Sequence, residues 1–182
     1  MIMIKRESML IMDKGYIQVY TGNGKGKTTA ALGLSLRAIC AGKKVFFGQF
    51  VKGMDYSELK AGEYLPNFTL EQFGRDVFIF DKPSEKDIKV AREGLEKVKK
   101  ILSSGDYDVV VLDEINVAVF YKLFTVDEVL QLLDMKPEKT EVILTGRYAD
   151  PQIVERADLV TEMKEIKHYY VKGVKARKGI EN

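Results

Sequence analysis

The stretch Thr21-Gly22-Asn23-Gly24-Lys25-Gly26-Lys27-Thr28-Thr29 is the densest concentration of chemistry in the chain. Glycines let a backbone turn its N–H groups inward. A helix starting just after them adds the positive end of its dipole, so anionic phosphates are held there. In that arrangement Lys27 reaches the terminal phosphates and Thr28 holds Mg²⁺, while Gly22, Asn23, Gly24, Lys25, Gly26 and Thr29 complete the cradle. The usual spacing asks for a glycine five residues before Gly26; Thr21 stands there, so the glycines are shifted. The competing reading is a glycine-rich turn with no ligand, which the strand pattern before it and the helix pattern after it disfavour.

A second concentration is Val109 to Glu114 (VVVLDE), an apolar run ending in two acids. In phosphate-loop proteins such a strand lies beside the loop, and its acid reaches the metal directly or through water. The sequence does not say which acid does so, and Asp113 and Glu114 are both candidates. Arg147, in Thr145-Gly146-Arg147, stands where open α/β sheets place ligands and suits bidentate binding of phosphate or carboxylate. The rival reading is a solvated loop arginine. His168, beside Lys167 and two tyrosines, reads as structural more readily than catalytic. Phe78 and Phe80, two apart, alternate like one face of a strand and read by spacing as core. Cys40 sits in an apolar helical stretch and reads as a buried small hydrophobe.

The elements that must position these groups alternate along the chain. Strands are expected at Tyr16–Thr21, Lys44–Phe50, Phe68–Phe73, Asp108–Asp113, Glu141–Thr145 and Leu159–Ile166. Helices are expected at Lys27–Ala41, closed by Gly42, and at Ser84–Ser104, ended by Gly105. Another is expected at Thr125–Asp134, and a short one begins at Asp150-Pro151. Ser84 with Asp87, and Thr125 with Glu128, stand in capping-box positions. The almost wholly apolar Asp108–Asp113 run is what a central parallel strand buried on both faces requires. Together these patterns give an α/β fold, a three-layer, doubly wound, mostly parallel sheet with helices on both faces.

The chain has 182 residues, with no repeat or low-complexity linker, so residues 15–182 are expected to form a single domain. Residues 1–14 read as a tail, or more sharply as a flap over the site. Lys plus Arg (29) against Asp plus Glu (27) leaves +2, so no basic surplus argues for nucleic acid or an anionic membrane. No apolar run approaches the ~18 residues of a membrane span. The lone cysteine forms no internal disulfide, which suits a reducing, cytoplasmic setting. No Asn-Lys-x-Asp guanine-reading sequence and no Asp-x-x-x-Asn kinase catalytic loop is present.

In order along the chain, Tyr20–Leu34 (YTGNGKGKTTAALGL), Gln49–Gly53 (QFVKG), Val111–Glu114 (VLDE), Leu144–Arg147 (LTGR), Ala157–Met163 (ADLVTEM) and Lys167–Glu181 (KHYYVKGVKARKGIE) resemble the ATP:corrinoid adenosyltransferases of the phosphate-loop type. The resemblance implies a RecA-like phosphate-loop fold. It also implies transfer of the 5′-deoxyadenosyl group of ATP to the Co(I) of a corrinoid, cobalamin or a precursor, with release of triphosphate. This is the cob(I)yrinic acid a,c-diamide adenosyltransferase type of activity. On that reading Lys27, Thr28 and Glu114 carry the reaction, and Thr28, Asp113 and Glu114 serve the metal. Phe78 and Phe80, after Gly74, match an aromatic pair that packs against the corrinoid. Here the family's second glycine is missing, Ile79 replaces a threonine and Phe80 a tryptophan. The family further implies a homodimer, a reduced flavoprotein as electron donor and an N-terminal lid. The rival from another class is a phosphate-loop ATPase or nucleotide switch working through a protein partner.

Overall fold

The computed structural model describes residues 14–77, 79 and 82–181. The chain runs β1 (Ile17–Thr21), α1 (Lys27–Cys40) and β2 (Val45–Phe50). A 3₁₀ turn, Ser57–Lys60, leads into α2 (Ala61–Tyr64), β3 (Phe68–Phe73), α3 (Glu85–Ser104) and β4 (Val109–Asp113). Then come α4 (Ile115–Phe120), α5 (Val126–Asp134), β5 (Glu141–Thr145), α6 (Pro151–Arg156) and β6 (Leu159–Glu162), followed by a 3₁₀ turn at Tyr169–Lys172. The six strands form one sheet in the order β3-β2-β4-β5-β1-β6, and every pairing is parallel. The expected mostly parallel sheet is thus wholly parallel.

Burial explains the strand sequences. All residues of β2 and β4 are buried, so these strands read as mostly apolar runs, with Gln49 and Asp113 as the buried polar residues near their C-terminal ends. Alternate side chains serve opposite faces. Val45, Phe47, Val109, Val111 and Ile143 meet Ala31 of α1 and the partly buried Ala61 of α2. Phe46, Phe50, Val110, Leu112, Val142 and Leu144 face the other way, onto Leu95 and Val98 of α3, Ile115 of α4 and Leu132 of α5. Three layers result, with helices on both faces as the alternation predicted.

Both capping boxes form: Ser84 and Asp87 exchange side-chain and backbone hydrogen bonds, as do Thr125 and Glu128. Asp150 caps α6, with Pro151 at the first helical position. Two expectations need correcting. Cys40 is exposed, because α1 buries the stripe Lys27, Ala31 and Ser35 and turns its last residue away from the sheet. The last strand stops at Glu162 rather than Ile166, because the chain leaves the sheet there to cross the β1–α1 loop. The helices α2 and α4, four and six residues long, carry no usable periodicity and were not expected.

Candidate active site

The loop between β1 and α1 is shaped by a neighbour. At Gly22 (φ +93) a Cβ would lie 2.5 Å from the Met163 carbonyl oxygen, and at Gly24 2.7 Å from it. Gly24 N–H donates to that carbonyl at 2.7 Å. These glycines therefore admit the chain leaving β6, to which the Gly24 amide donates, and Gly24 also lines a cavity shared with Glu114. Gly26 (φ +119) is the residue before α1 and offers no side-chain cap, so the first-turn amides have no capping side chain. Lys27, only 7% exposed, folds back to donate to the carbonyls of Gly22 (2.8 Å) and Gly24 (2.7 Å). Burial lowers its pKa, and the carboxylate of Glu114 partly opposes the shift.

Beneath the loop sits a buried polar node. Asp113, at the end of β4, is fully buried. Its Oδ1 accepts from the hydroxyls of Thr28 (2.9 Å) and Thr145 (2.6 Å). Its Oδ2 accepts from the Lys52 ammonium (2.7 Å) and the Gln49 amide (3.3 Å). Lys52 also reaches Thr28 Oγ1 at 3.3 Å. Burial alone would lower the Lys52 pKa, but Asp113, by charge and hydrogen bond, leaves it raised.

Glu114 takes a different place. It sits at φ +58, its N–H donating to Thr145 Oγ1 at 3.0 Å, and it lines a cavity of about 500 Å³. Burial raises its carboxyl pKa, with Asp113 as the second cause, while Lys52, Lys27 and Arg147 pull it down. Lys25, Gly26, Lys27, Thr28, Thr29 and Arg147 line the same cavity. Arg147 follows Gly146 (φ +129) at the end of β5. The C-terminal edges of β1, β4 and β5 thus bring the loop, the acid and the arginine together, as ligand sites of open parallel sheets require.

His168 also lines the cavity while its Nδ1 accepts from Tyr170 N–H at 3.0 Å, capping the last 3₁₀ turn. Lys25, expected in the phosphate cradle, lines the cavity and donates to Tyr169, Ile180 and Glu181 of the C-terminal tail. Phe78 and Phe80 fall outside the described residues, as do residues 1–13; Ile79, between the two aromatics, packs against the core. Lys52 is the site residue that reasoning from residue type missed. The available signal was a lysine just past a wholly buried strand, where burial demands an acidic partner.

Among the described residues no group of three or more His, Cys, Asp and Glu side chains assembles as a metal cage. None of their helices is long and apolar enough to cross a membrane.

The solved structure of the RadB recombinase shares this fold at a TM-score of 0.54 with 17% identity, covering 85% of this chain and 77% of that one. At the level of sequence, residues 13–182 match the family described as ATP:corrinoid adenosyltransferase BtuR/CobO/CobP. The corrinoid adenosyltransferase of Escherichia coli (strain K12) is 39% identical over 170 residues, 93% of this chain and 86% of that one. That of Sinorhizobium sp. is 38% identical over 176 residues, 93% and 81% of the two chains. Corrinoid adenosyltransferase CobA of Salmonella typhimurium (strain LT2) is 36% identical over 170 residues, 93% and 86%. A match that spans the loop, both acids, Arg147 and the tail assigns this chain to the ATP:corrinoid adenosyltransferase family.

Proposed function

We propose that the chain transfers the 5′-deoxyadenosyl group of ATP to the Co(I) of a corrinoid. The observation that carries this reading is the convergence of Lys27, Thr28, Glu114 and Arg147 on one cavity at the C-terminal edge of the sheet. The reaction makes a modest demand on side chains. Cobalt of the substrate is itself the nucleophile, so no serine, cysteine or general base is needed. The Co–C5′ bond forms as the C5′–O bond breaks, and the electron pair leaves on the triphosphate. The protein must align the two reactants and neutralise the departing polyanion. Lys27 and Arg147 supply fixed positive charge, and the first-turn amides of α1 supply hydrogen-bond donors.

The donor set suits Mg²⁺. Thr28 offers a hydroxyl, Glu114 and Asp113 offer carboxylates, and this ion prefers oxygen ligands, keeping waters and taking phosphate oxygens beside one or two carboxylates. When bound it neutralises phosphate charge. Asp113 already accepts four hydrogen bonds below the loop. The proposed division is therefore that Thr28 and Glu114 face the ion and Asp113 holds Thr28 in place. Phe78 and Phe80 are proposed corrinoid contacts on the sequence pattern alone. The finer substrate, complete cobalamin or the a,c-diamide precursor, is proposed to be either of these tetrapyrroles. A homodimer, a reduced flavoprotein donor, an N-terminal lid over residues 1–14 on a single domain, and a cytoplasmic setting are proposed on the family resemblance.

The test is direct. ATP, Mg²⁺ and chemically reduced cob(I)alamin are mixed with the protein, following corrinoid absorbance and assaying inorganic triphosphate. The expected products are adenosylcobalamin and triphosphate in equal amounts. Release of orthophosphate at a rate indifferent to corrinoid would replace this reading with an ATPase or switch.

A further inference from the structure

The C-terminal tail is the matching motif that the chemistry above leaves unused, and it is joined to the phosphate loop through Lys25. The Lys25 ammonium donates to Tyr169 Oη at 3.1 Å, the Ile180 carbonyl at 3.2 Å and Glu181 Oε1 at 3.0 Å. An ammonium has three N–H donors, and these three acceptors all belong to the tail. The same ammonium lies 5.8 Å from the centre of the Tyr169 ring. For Lys25 to bind phosphate it would have to release at least one of a carboxylate, a phenol and a carbonyl.

Glu181 is held just as fully. Its Oε1 accepts from Tyr169 Oη and from Arg177 Nη2 (3.1 Å), and its Oε2 from Arg177 N–H (2.8 Å) and Nε (3.2 Å). Ile180 and Glu181 N–H donate to the Arg177 carbonyl at 3.1 and 2.9 Å, closing the turn. Arg177 first, then Tyr169, hold the Glu181 carboxyl well below the usual carboxylate range, so it stays ionised. His168, Gly179, Ile180 and Glu181 line the cavity together with the loop. The tail is therefore a wall of the nucleotide cavity, and Lys25 fastens that wall to the loop.

We propose that Lys25 is the anchor of a C-terminal clasp rather than a phosphate ligand, and that Glu181 is a positioning residue acting through Lys25 to hold the outer wall of the nucleotide cavity. The proposal rests on the functional reading only in taking the ligand to be ATP.

The test compares the wild type with Lys25→Met, Glu181→Gln and the double variant as full chains. ATP and AMP affinities are measured by calorimetry, and amide hydrogen exchange is followed over residues 169–181. Each single change is expected to weaken ATP binding roughly three- to tenfold, as for a charge-assisted contact discounted for exposure. The double variant should be no more than about twofold worse than either single one, the signature of coupled residues. AMP should lose the same factor as ATP, and tail exchange should quicken in both single variants. In adenosyl transfer, KM for ATP should rise by that factor while kcat at saturating ATP holds within about twofold. Lys25→Met weakening ATP far more than AMP would return Lys25 to the phosphates and overturn the clasp. Additive losses, or Glu181→Gln leaving affinity and exchange unchanged, would overturn it as well. If the wild type binds ATP yet transfers no adenosyl group, the functional reading fails while binding and exchange still decide the clasp.

Discussion

Two charge networks flank the same glycine-rich loop, and they differ in what surrounds them. The inner one joins Asp113, Lys52, Thr28, Thr145 and Gln49; its acid is fully buried and its lysine side chain 15% exposed. The outer one joins Lys25, Tyr169, Arg177 and Glu181, with the Lys25 and Arg177 side chains 38% and 53% exposed. Both have a carboxylate saturated with donors, so a count of hydrogen bonds would rank them as equals. Solvent separates them. Breaking a buried pair leaves a charge that no water reaches, whereas an exposed pair is screened and its fragments resolvate. The inner network is thus built to fix the loop and the end of β4 in one geometry. The outer one is built so that a segment of chain can be fastened without making folding depend on it.

The largest expected effect comes from breaking the inner node. Lys52→Met leaves Asp113 buried without its cation and should lower the unfolding free energy by about 3–5 kcal/mol, read by denaturant titration. Adding Asp113→Asn to that variant should recover much of the loss, because the uncompensated charge is then gone. Glu181→Gln in the outer network should leave the same titration within its scatter. A Lys52→Met chain as stable as the wild type would erase the distinction between the two regions.

Next in size is Lys27→Ala, which separates catalysis from folding within the loop. The variant loses the ammonium proposed to meet the phosphates along with its bonds to the Gly22 and Gly24 carbonyls. One charged contact of this kind is worth about 1.5–3 kcal/mol, so adenosyl transfer should fall roughly 10- to 150-fold or more. Stability should change far less than in Lys52→Met, since the groups Lys27 hydrogen-bonds are neutral carbonyls rather than a buried carboxylate. Near-normal turnover would overturn the assignment of the loop to triphosphate.

The sequence made one of these regions legible and hid the other. Period-two and period-3.6 patterns, the capping pairs and the apolar Val109–Leu112 run predict the layers because each rests on local stereochemistry or on burial over many residues. Loop, acid and arginine were legible because their chemistry needs those types at strand ends. What the sequence withheld is who touches whom across the chain. Asp113 and Glu114 are neighbours with the same chemistry, yet β4 ends so that one points beneath the loop and the other into the cavity. Lys25 looks like a phosphate ligand by position, and only the return of residues 163–181 over the loop supplies its acceptors. Gly22 and Gly24 fit the phosphate pattern, while their spatial reason is the backbone of Met163. Cys40 shows the limit of composition: an apolar stretch of helix still has a side that faces water.

The smallest effect is a difference in titration, and it probes both networks in one experiment. Glu114 and Glu181 share the ordinary glutamate value of about 4.3 seen in peptides, and the protein pushes them in opposite directions. Burial and then Asp113 disfavour the Glu114 carboxylate, so its pKa is raised and it gains a proton at a higher pH than an ordinary glutamate. A raised acid favours folding most at low pH, and that contribution is lost as pH rises through the folded value. Arg177, Tyr169 and Lys25 favour the Glu181 carboxylate, so its pKa is lowered. Its contribution is complete above the unfolded value and is lost only as pH falls through the lowered one. Acidification from neutrality should therefore protonate Glu114 while the clasp is intact, and the apparent Mg²⁺ requirement of adenosyl transfer should rise before the tail loosens. Carboxyl chemical shifts followed by NMR, assigned by Glu114→Gln and Glu181→Gln, should place the two midpoints on opposite sides of the peptide value. Should Glu114 titrate at or below that value, the cavity wall around it is wetter than its burial implies, and the contrast between the two networks would narrow to Asp113 alone.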